Sequence, residues 1–151
     1  MYEQDFERLI ERLQTAFVTT MRKLGPELSE SECGLTGPQF FILHRLYTYG
    51  KCTVTELSEA IGVKPSAITA MVDRMYKNDF VLRDRDDSDR RVVYIQISDE
   101  GLATLVQAKK KRKQVIEKYL GQLEPEEMKN LVHIFEKLAQ ITIKDEHEIK
   151  K

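Results

Sequence analysis

Apolar residues recur every three or four positions through Phe6, Leu9, Ile10, Leu13, Phe17, Met21 and Leu24, with charged or hydroxylated residues between most of them. That spacing predicts an amphipathic helix. The helix is expected to end before Gly25-Pro26, because proline lacks the N–H that a helix interior uses. A polar linker follows over 28–34. Thr36 then stands where it can cap a helix, with Pro38 in the first turn. Phe40, Phe41, Leu43, Leu46 and Tyr47 make that helix largely buried, and Gly50 stops it. Thr53-Val54-Thr55-Glu56 has the spacing of a capping box. The short helix it opens is expected to turn Leu57, Ala60 and Ile61 inward and to end at Gly62. Another helix begins near Pro65, turns Ile68, Met71, Val72 and Met75 inward, and runs to about Asp79, a residue type that tolerates left-handed backbone.

The pattern then changes period. Val81-Leu82-Arg83 and Val92 to Ile97 read as two strands, the second rich in β-branched residues. The stretch from Asp84 to Arg91 between them is wholly polar, which suits an exposed hairpin loop. Ser98-Asp99-Glu100 caps a long helix to about Leu120, with acids at its positive end. Gly121 breaks it, and Pro125-Glu126-Glu127 opens a last helix with the stripe Met128, Leu131, Phe135 and Leu138. The tail from Lys144 is charged and expected to fray.

Two helices joined by a turn at Gly62 form a helix-turn-helix by spacing. Leu57, Ile61, Val63, Ile68 and Met71 fall where the pair must share a small core, and Ser58 is small where the axes come closest. An ordinary helical pair would satisfy the same pattern. Against that stands the outer face of the second helix: Lys64, Ser66, Ala67, Thr69, Ala70, Asp73, Arg74 and Lys77. These residues are mostly small, hydroxylated or basic, which suits close approach to base edges and phosphates. The hairpin carries Arg83, Arg85, Arg90 and Arg91 against Asp84, Asp86, Asp87 and Asp89. A solvated loop of ion pairs is its plain reading. A two-stranded wing directly after a helix-turn-helix is the sharper one, since an arginine at its tip can enter a narrow minor groove.

Composition limits the alternatives. A chain of 151 residues with 41% hydrophobic and 32% charged residues suits one compact domain, or one with a helical extension. Net charge is −1, so nucleic-acid binding must rest on local placement. No apolar run is long enough to span a membrane, and the acidic start Met1-Tyr2-Glu3-Gln4-Asp5 is unlike a signal peptide. A cytoplasmic protein with no membrane partner is therefore expected. Cys33 and Cys52 have no metal or redox spacing, and His44, His133 and His147 are far apart. No cofactor, metal or enzymatic constellation is expected.

Leu57 to Thr69 with Val72-Asp73-Arg74-Met75 resembles the recognition module of the MarR family of transcription regulators. Asp89-Arg90-Arg91 and Ile97-Ser98-Asp99-Glu100-Gly101 are similar to that family's wing and the entry to its fifth helix, and Leu123 to Glu127 to the opening of its last helix. The likeness runs over roughly residues 5–142. It implies a mainly α fold with a small β-wing: a winged helix-turn-helix over 35–104, and a helical dimerisation region formed by 1–34 with 105–151. It further implies a homodimer on a pseudo-palindromic double-stranded DNA operator. Ser66, Thr69 and Arg74 would touch DNA, and Arg91 would reach the minor groove, steadied by Asp89. Thr53, Thr55, Lys64, Pro65, Ala67, Ala70, Lys77 and Arg90 complete the candidate DNA set. Two positions depart from the family pattern. Asp79 stands where glycine is usual, and Ala70 stands where many members carry a larger polar residue.

The same resemblance implies a repressor released by a small hydrophobic or aromatic effector. Phe17, Met21, Phe40, Phe41, Leu43 and Tyr47 are the candidates to line its cleft, though core packing accounts equally for each. The basic run Lys109 to Lys113 covers every face of a helix, so at least one stem must lie along apolar neighbours. Two alternatives stand beside this reading. One is a winged module that binds protein instead of DNA. The other is a regulator switched by Cys33 or Cys52.

Overall fold

The computed structural model describes residues 2–31 and 33–142; the charged tail from Lys144, with His147, lies outside them. Its elements run α1 (Tyr2–Ser31), α2 (Gly37–Tyr49), α3 (Val54–Ile61), α4 (Pro65–Lys77), β1 (Val81–Arg85), β2 (Val93–Ile97), α5 (Asp99–Leu120) and α6 (Pro125–Gln140). Two compact units divide the chain, residues 1–115 and 116–151. Among the described residues no helix is long and apolar enough to cross a membrane.

The first helix does not stop at Gly25-Pro26. It continues through Pro26 to Ser31, replacing most of the expected linker. A proline inside a helix costs about 3 kcal/mol through its missing N–H and its ring clash. Burial on both sides offsets that cost: Leu24 is buried, and Gly25, Glu27 and Leu28 are half-buried.

Caps set the next boundaries. Thr36 and Gln39 form a reciprocal capping box at the head of α2. Thr53 caps α3, its hydroxyl accepting from the Glu56 N–H at 3.2 Å. Gly62 ends α3 in the left-handed region at φ 74°, a conformation open to glycine without a Cβ penalty. The Ser58 hydroxyl adds a bond the sequence did not announce, donating to the Val63 carbonyl at 2.5 Å and so closing the turn toward α4.

β1 and β2 pair antiparallel with Val81 opposite Ile97 and Arg85 opposite Val93. The first strand is longer than expected, because the exposed Asp84 and Arg85 lose nothing by pairing at the outer end of a hairpin. Cys52 also lies on this sheet. It exchanges backbone bonds with Ile95 at 2.9 and 2.7 Å, making a bridge where a plain turn was expected.

One core unites α2, α3, α4, the hairpin and the first half of α5. It includes Ile42, Leu43, Leu46, Leu57, Ile68, Val72, Met75, Val81, Ile95 and Leu105. Ala60, expected to face inward, is exposed; on so short a helix Leu57 occupies the inner position and Ile61 only half of it.

The join between hairpin and α5 is tight. Asp79 takes a left-handed φ of 62°, Ser98 donates its hydroxyl to the Asp79 carbonyl, and the Gly101 N–H donates back to Ser98 Oγ at 2.9 Å. A Cβ at Gly101 would sit 2.0 Å from the Phe80 carbonyl oxygen, inside any allowed contact. Gly101→Ala is therefore expected to destabilise by about 3 kcal/mol, the upper part of the overpacking range, as a fall in thermal midpoint. The converse holds at Asp79. A side chain there carries a left-handed penalty that glycine lacks, so Asp79→Gly is expected to raise stability by about 0.5–1 kcal/mol in chemical denaturation.

Candidate nucleic-acid interface

The inner face of α4 is fixed by Ile68, Val72 and Met75, all buried in the core. Helical geometry then forces the opposite face outward. Lys64, Pro65, Ser66, Thr69, Ala70, Arg74 and Lys77 are exposed and Ala67 is half-buried, so the candidates on this helix share one accessible side. Lys64 occupies the N-cap without a side-chain bond, and Pro65 has no N–H to satisfy. The Thr69 hydroxyl donates to the Pro65 carbonyl at 3.0 Å, which leaves its oxygen as an outward acceptor. Arg74 bonds the Ala70 carbonyl through Nε at 3.3 Å, so its terminal nitrogens remain available to an anion.

Asp73 is the one acid on this face, and it would repel a phosphate. It is ion-paired with Arg83 of β1, whose guanidinium also lies 4.6 Å from the Tyr76 ring centroid. The pair joins recognition helix to wing and neutralises Asp73. Sequence spacing gave no sign of it, since the partners belong to different elements.

At the wing tip the chain folds on its own side chains. The Asp86 carboxylate accepts from the Ser88 N–H at 3.0 Å and the Ser88 hydroxyl at 2.9 Å. Those two bonds, with smaller help from Lys51, hold the Asp86 carboxyl below its ordinary value. A lowered carboxyl favours the folded tip at all pH above its unfolded value, and the gain is lost only as pH falls through the lowered one. The carboxylate's contribution is thus fully present at neutral pH. Arg85 donates to the Arg90 carbonyl at 3.1 Å, fixing the backbone beside Arg91.

Arg91 itself projects outward, its side chain 91% exposed, while Asp89 grips it from behind. Asp89 accepts from the Arg91 backbone N–H at 3.1 Å, from Nε at 3.1 Å and from a terminal nitrogen at 3.3 Å. The contact implied by the resemblance is present. Of the remaining candidates, Arg90 and Thr55 are exposed, while Thr53 is half-buried with its hydroxyl engaged as the α3 cap.

This arrangement is matched elsewhere. The MarR family pattern fits residues 35–93. The transcriptional repressor MdtR of Bacillus subtilis (strain 168) is 35% identical over 147 residues, covering 96% of this chain and 95% of that one. A MarR family protein from Bacillus stearothermophilus superposes with a TM-score of 0.76 at 29% identity, over 89% of this chain and 95% of that one. The chain belongs to the MarR family. A MepR-like protein complexed with pseudoligands is 39% identical with a TM-score of 0.62, over 87% and 92% of the two chains. Membership makes the protein a transcription regulator, with the winged helix-turn-helix of a MarR protein. It also gives Asp79 its meaning: the position has positive φ, which is why glycine is usual there and why aspartate is tolerated.

The effector candidates are scattered. Phe17 and Met21 are exposed on α1, and Tyr47 is exposed on α2 beneath the Lys109 ammonium at 5.6 Å. Phe40 and Leu43 are buried in the core. Arg112 lies 5.0 Å over the Phe40 ring and 5.6 Å over Phe41, so one member of the basic run packs along apolar neighbours as expected. Among the six, Phe41 lines a groove of about 450 Å³ with His44, Arg45, Tyr49, Ala60 and Ile61. None of those five was a sequence candidate.

Proposed function

We propose that this MarR protein is a homodimeric, sequence-specific binder of duplex DNA that represses transcription and is released by a small apolar or aromatic ligand. The observation that carries the reading is the shared exposure of the α4 outer face and Arg91, with the only acid on that face neutralised by Arg83. In this reading α4 enters a major groove, and Ser66, Thr69 and Ala70 meet base edges. Lys64, Arg74, Lys77 and Arg90 meet phosphates, Pro65 and Ala67 let the helix approach closely, and Thr53 and Thr55 face the backbone. Arg91, held by Asp89, enters the adjacent minor groove.

Dimerisation is argued from unburied apolar surface. Phe6, Leu9, Leu13 and Phe17 of α1 and Phe135 and Leu138 of α6 are all more than half exposed. Stripes of this size mark an interface. Residues 1–34 and 105–151 are assigned to it, and 35–104 to DNA. Repression is supported by MdtR, named a repressor, and ligand release by the MepR-like protein complexed with pseudoligands. A switch at Cys52 is disfavoured by its burial. A protein-docking role is disfavoured by the polar and basic α4 face.

Gel-shift titration against genomic fragments tests the reading. Affinity is expected to fall steeply between low and physiological salt, as counterions leave the phosphates. Ser66→Ala and Thr69→Ala are expected to change which fragments are preferred while leaving that salt slope nearly unaltered. Salt-independent binding, or no fragment preference in the unaltered protein, would contradict it. A screen of lipophilic acids and phenolics is expected to give compounds that release DNA and also raise the thermal midpoint.

A further inference from the structure

We infer that Ala70 is a specificity-determining residue of α4, and that it reads the 5-methyl group of one thymine in each DNA half-site. The inference rests on the duplex-binding reading above and gives that reading a base.

Successive residues of a helix are turned by about 100°. With Ile68, Val72 and Met75 buried, the arc opposite them holds Ser66, Ala70, Asp73 and Lys77, spread over about 60°. All four are exposed. Lys77 lies in the last turn, whereas a recognition helix meets base edges with its N-terminal residues. Asp73 is held by Arg83 of β1. Ser66 and Ala70 are left to face the bases, and Ala70 is turned almost directly away from the core.

The polar groups beside Ala70 are already engaged. The Thr69 hydroxyl donates to the Pro65 carbonyl at 3.0 Å, so it has no proton to offer outward. The Ala70 carbonyl accepts from Arg74 Nε at 3.3 Å, which draws that side chain back along the helix. Ala67, half-buried on the flank, adds only another methyl group. What α4 offers at Ala70 is therefore a methyl group, with no side-chain donor or acceptor of its own.

The thymine 5-methyl is the one apolar group that bases present in a major groove; the others are donors and acceptors. Adenine, guanine or cytosine at that place would set a polar edge against the Ala70 methyl, losing water without gaining a partner. Thymine sets a methyl against a methyl. Removing one such group from water is worth about 4-fold in affinity.

The test uses the full chain and a duplex that it has selected from genomic fragments. Each thymine of a half-site is replaced in turn by deoxyuridine, which deletes the methyl group and keeps the pairing edge. Gel-shift affinity is expected to fall by about 4-fold at one thymine position, and by about 15-fold when its symmetry mate is changed as well. In Ala70→Gly the loss at that position is expected to vanish, so that thymine and uracil duplexes bind alike. Ala70→Gln supplies the bidentate partner of adenine and is expected to prefer adenine where the thymine stood. Ala70 is exposed and outside the core, and helical circular dichroism checks that each variant is folded. Should Ala70→Gly fail to fold, Ala70→Gln decides alone. A selected duplex indifferent to every uracil, a uracil effect that persists in Ala70→Gly, or an Ala70→Gln protein that still prefers thymine overturns the assignment and leaves duplex binding standing. A protein that selects no duplex defeats the duplex-binding reading itself, and the assignment with it.

Discussion

Arg91→Ala is expected to weaken operator binding by about 10- to 100-fold at physiological salt, with the thermal midpoint unchanged. The side chain is 91% exposed and ion-paired to Asp89, so removing it deletes almost no packing. What it deletes is a cation held rigidly at the tip of the wing. An arginine preset by a two-pronged carboxylate loses less rotamer freedom on binding than a free one, which raises the share of contact energy that appears as affinity. Loss of one cation contact also flattens the plot of log affinity against log salt by roughly one unit. Asp89→Ala separates the two contributions. It leaves the charge and removes the grip, so the slope is expected to stay while affinity falls less than in Arg91→Ala. Gel-shift titrations at several salt concentrations, beside a thermal melt, measure all of this.

A second large effect is expected on α1. Leu13 is 68% exposed in the single chain and lies mid-stripe between Ile10 and Phe17. In a homodimer that stripe is covered, and Leu13→Glu places an unpaired charge within it. Breaking a buried interface this way costs several kcal/mol. The variant is expected to elute and scatter light as a monomer near 17.6 kDa, and the unaltered chain as a dimer. Operator affinity is expected to fall by about 100-fold or more, because one winged unit alone reads a single half-site. Its helical circular dichroism is expected to persist, since the core through Leu43, Leu57 and Ile68 does not involve Leu13. A Leu13→Glu protein that remains dimeric would remove α1 from the interface.

Most element types were legible in the sequence because local chemistry dictates them. Thr36 and Thr53 announce the heads of α2 and α3, Gly62 announces the turn, and the switch from threefold spacing to β-branched residues announces the hairpin. The error at Pro26 has a different origin. Proline's local penalty is plain in the sequence, whereas the burial of Leu24 that outweighs it is a tertiary effect. Ala60 was misplaced for a related reason: on an eight-residue helix, periodicity cannot separate an inward position from one at the edge. At the candidate site, local arithmetic found the outward face of α4, while the Asp89–Arg91 pair came from the family resemblance. It could not find Asp73–Arg83, which needs the packing of β1 on α4. Nor could it find the Arg45 groove, which exists only because α2 and α3 are set side by side.

Selecting bound genomic fragments with the purified protein, then mapping the protected bases, tests the central claim most directly. The account predicts strong enrichment of a pseudo-palindrome, protected as two half-sites centred about 10 base pairs apart, one turn of the duplex. It also predicts minor-groove protection flanking each half-site where Arg91 enters. No enrichment over bulk DNA, or a single asymmetric footprint without a symmetry-related partner, would contradict it.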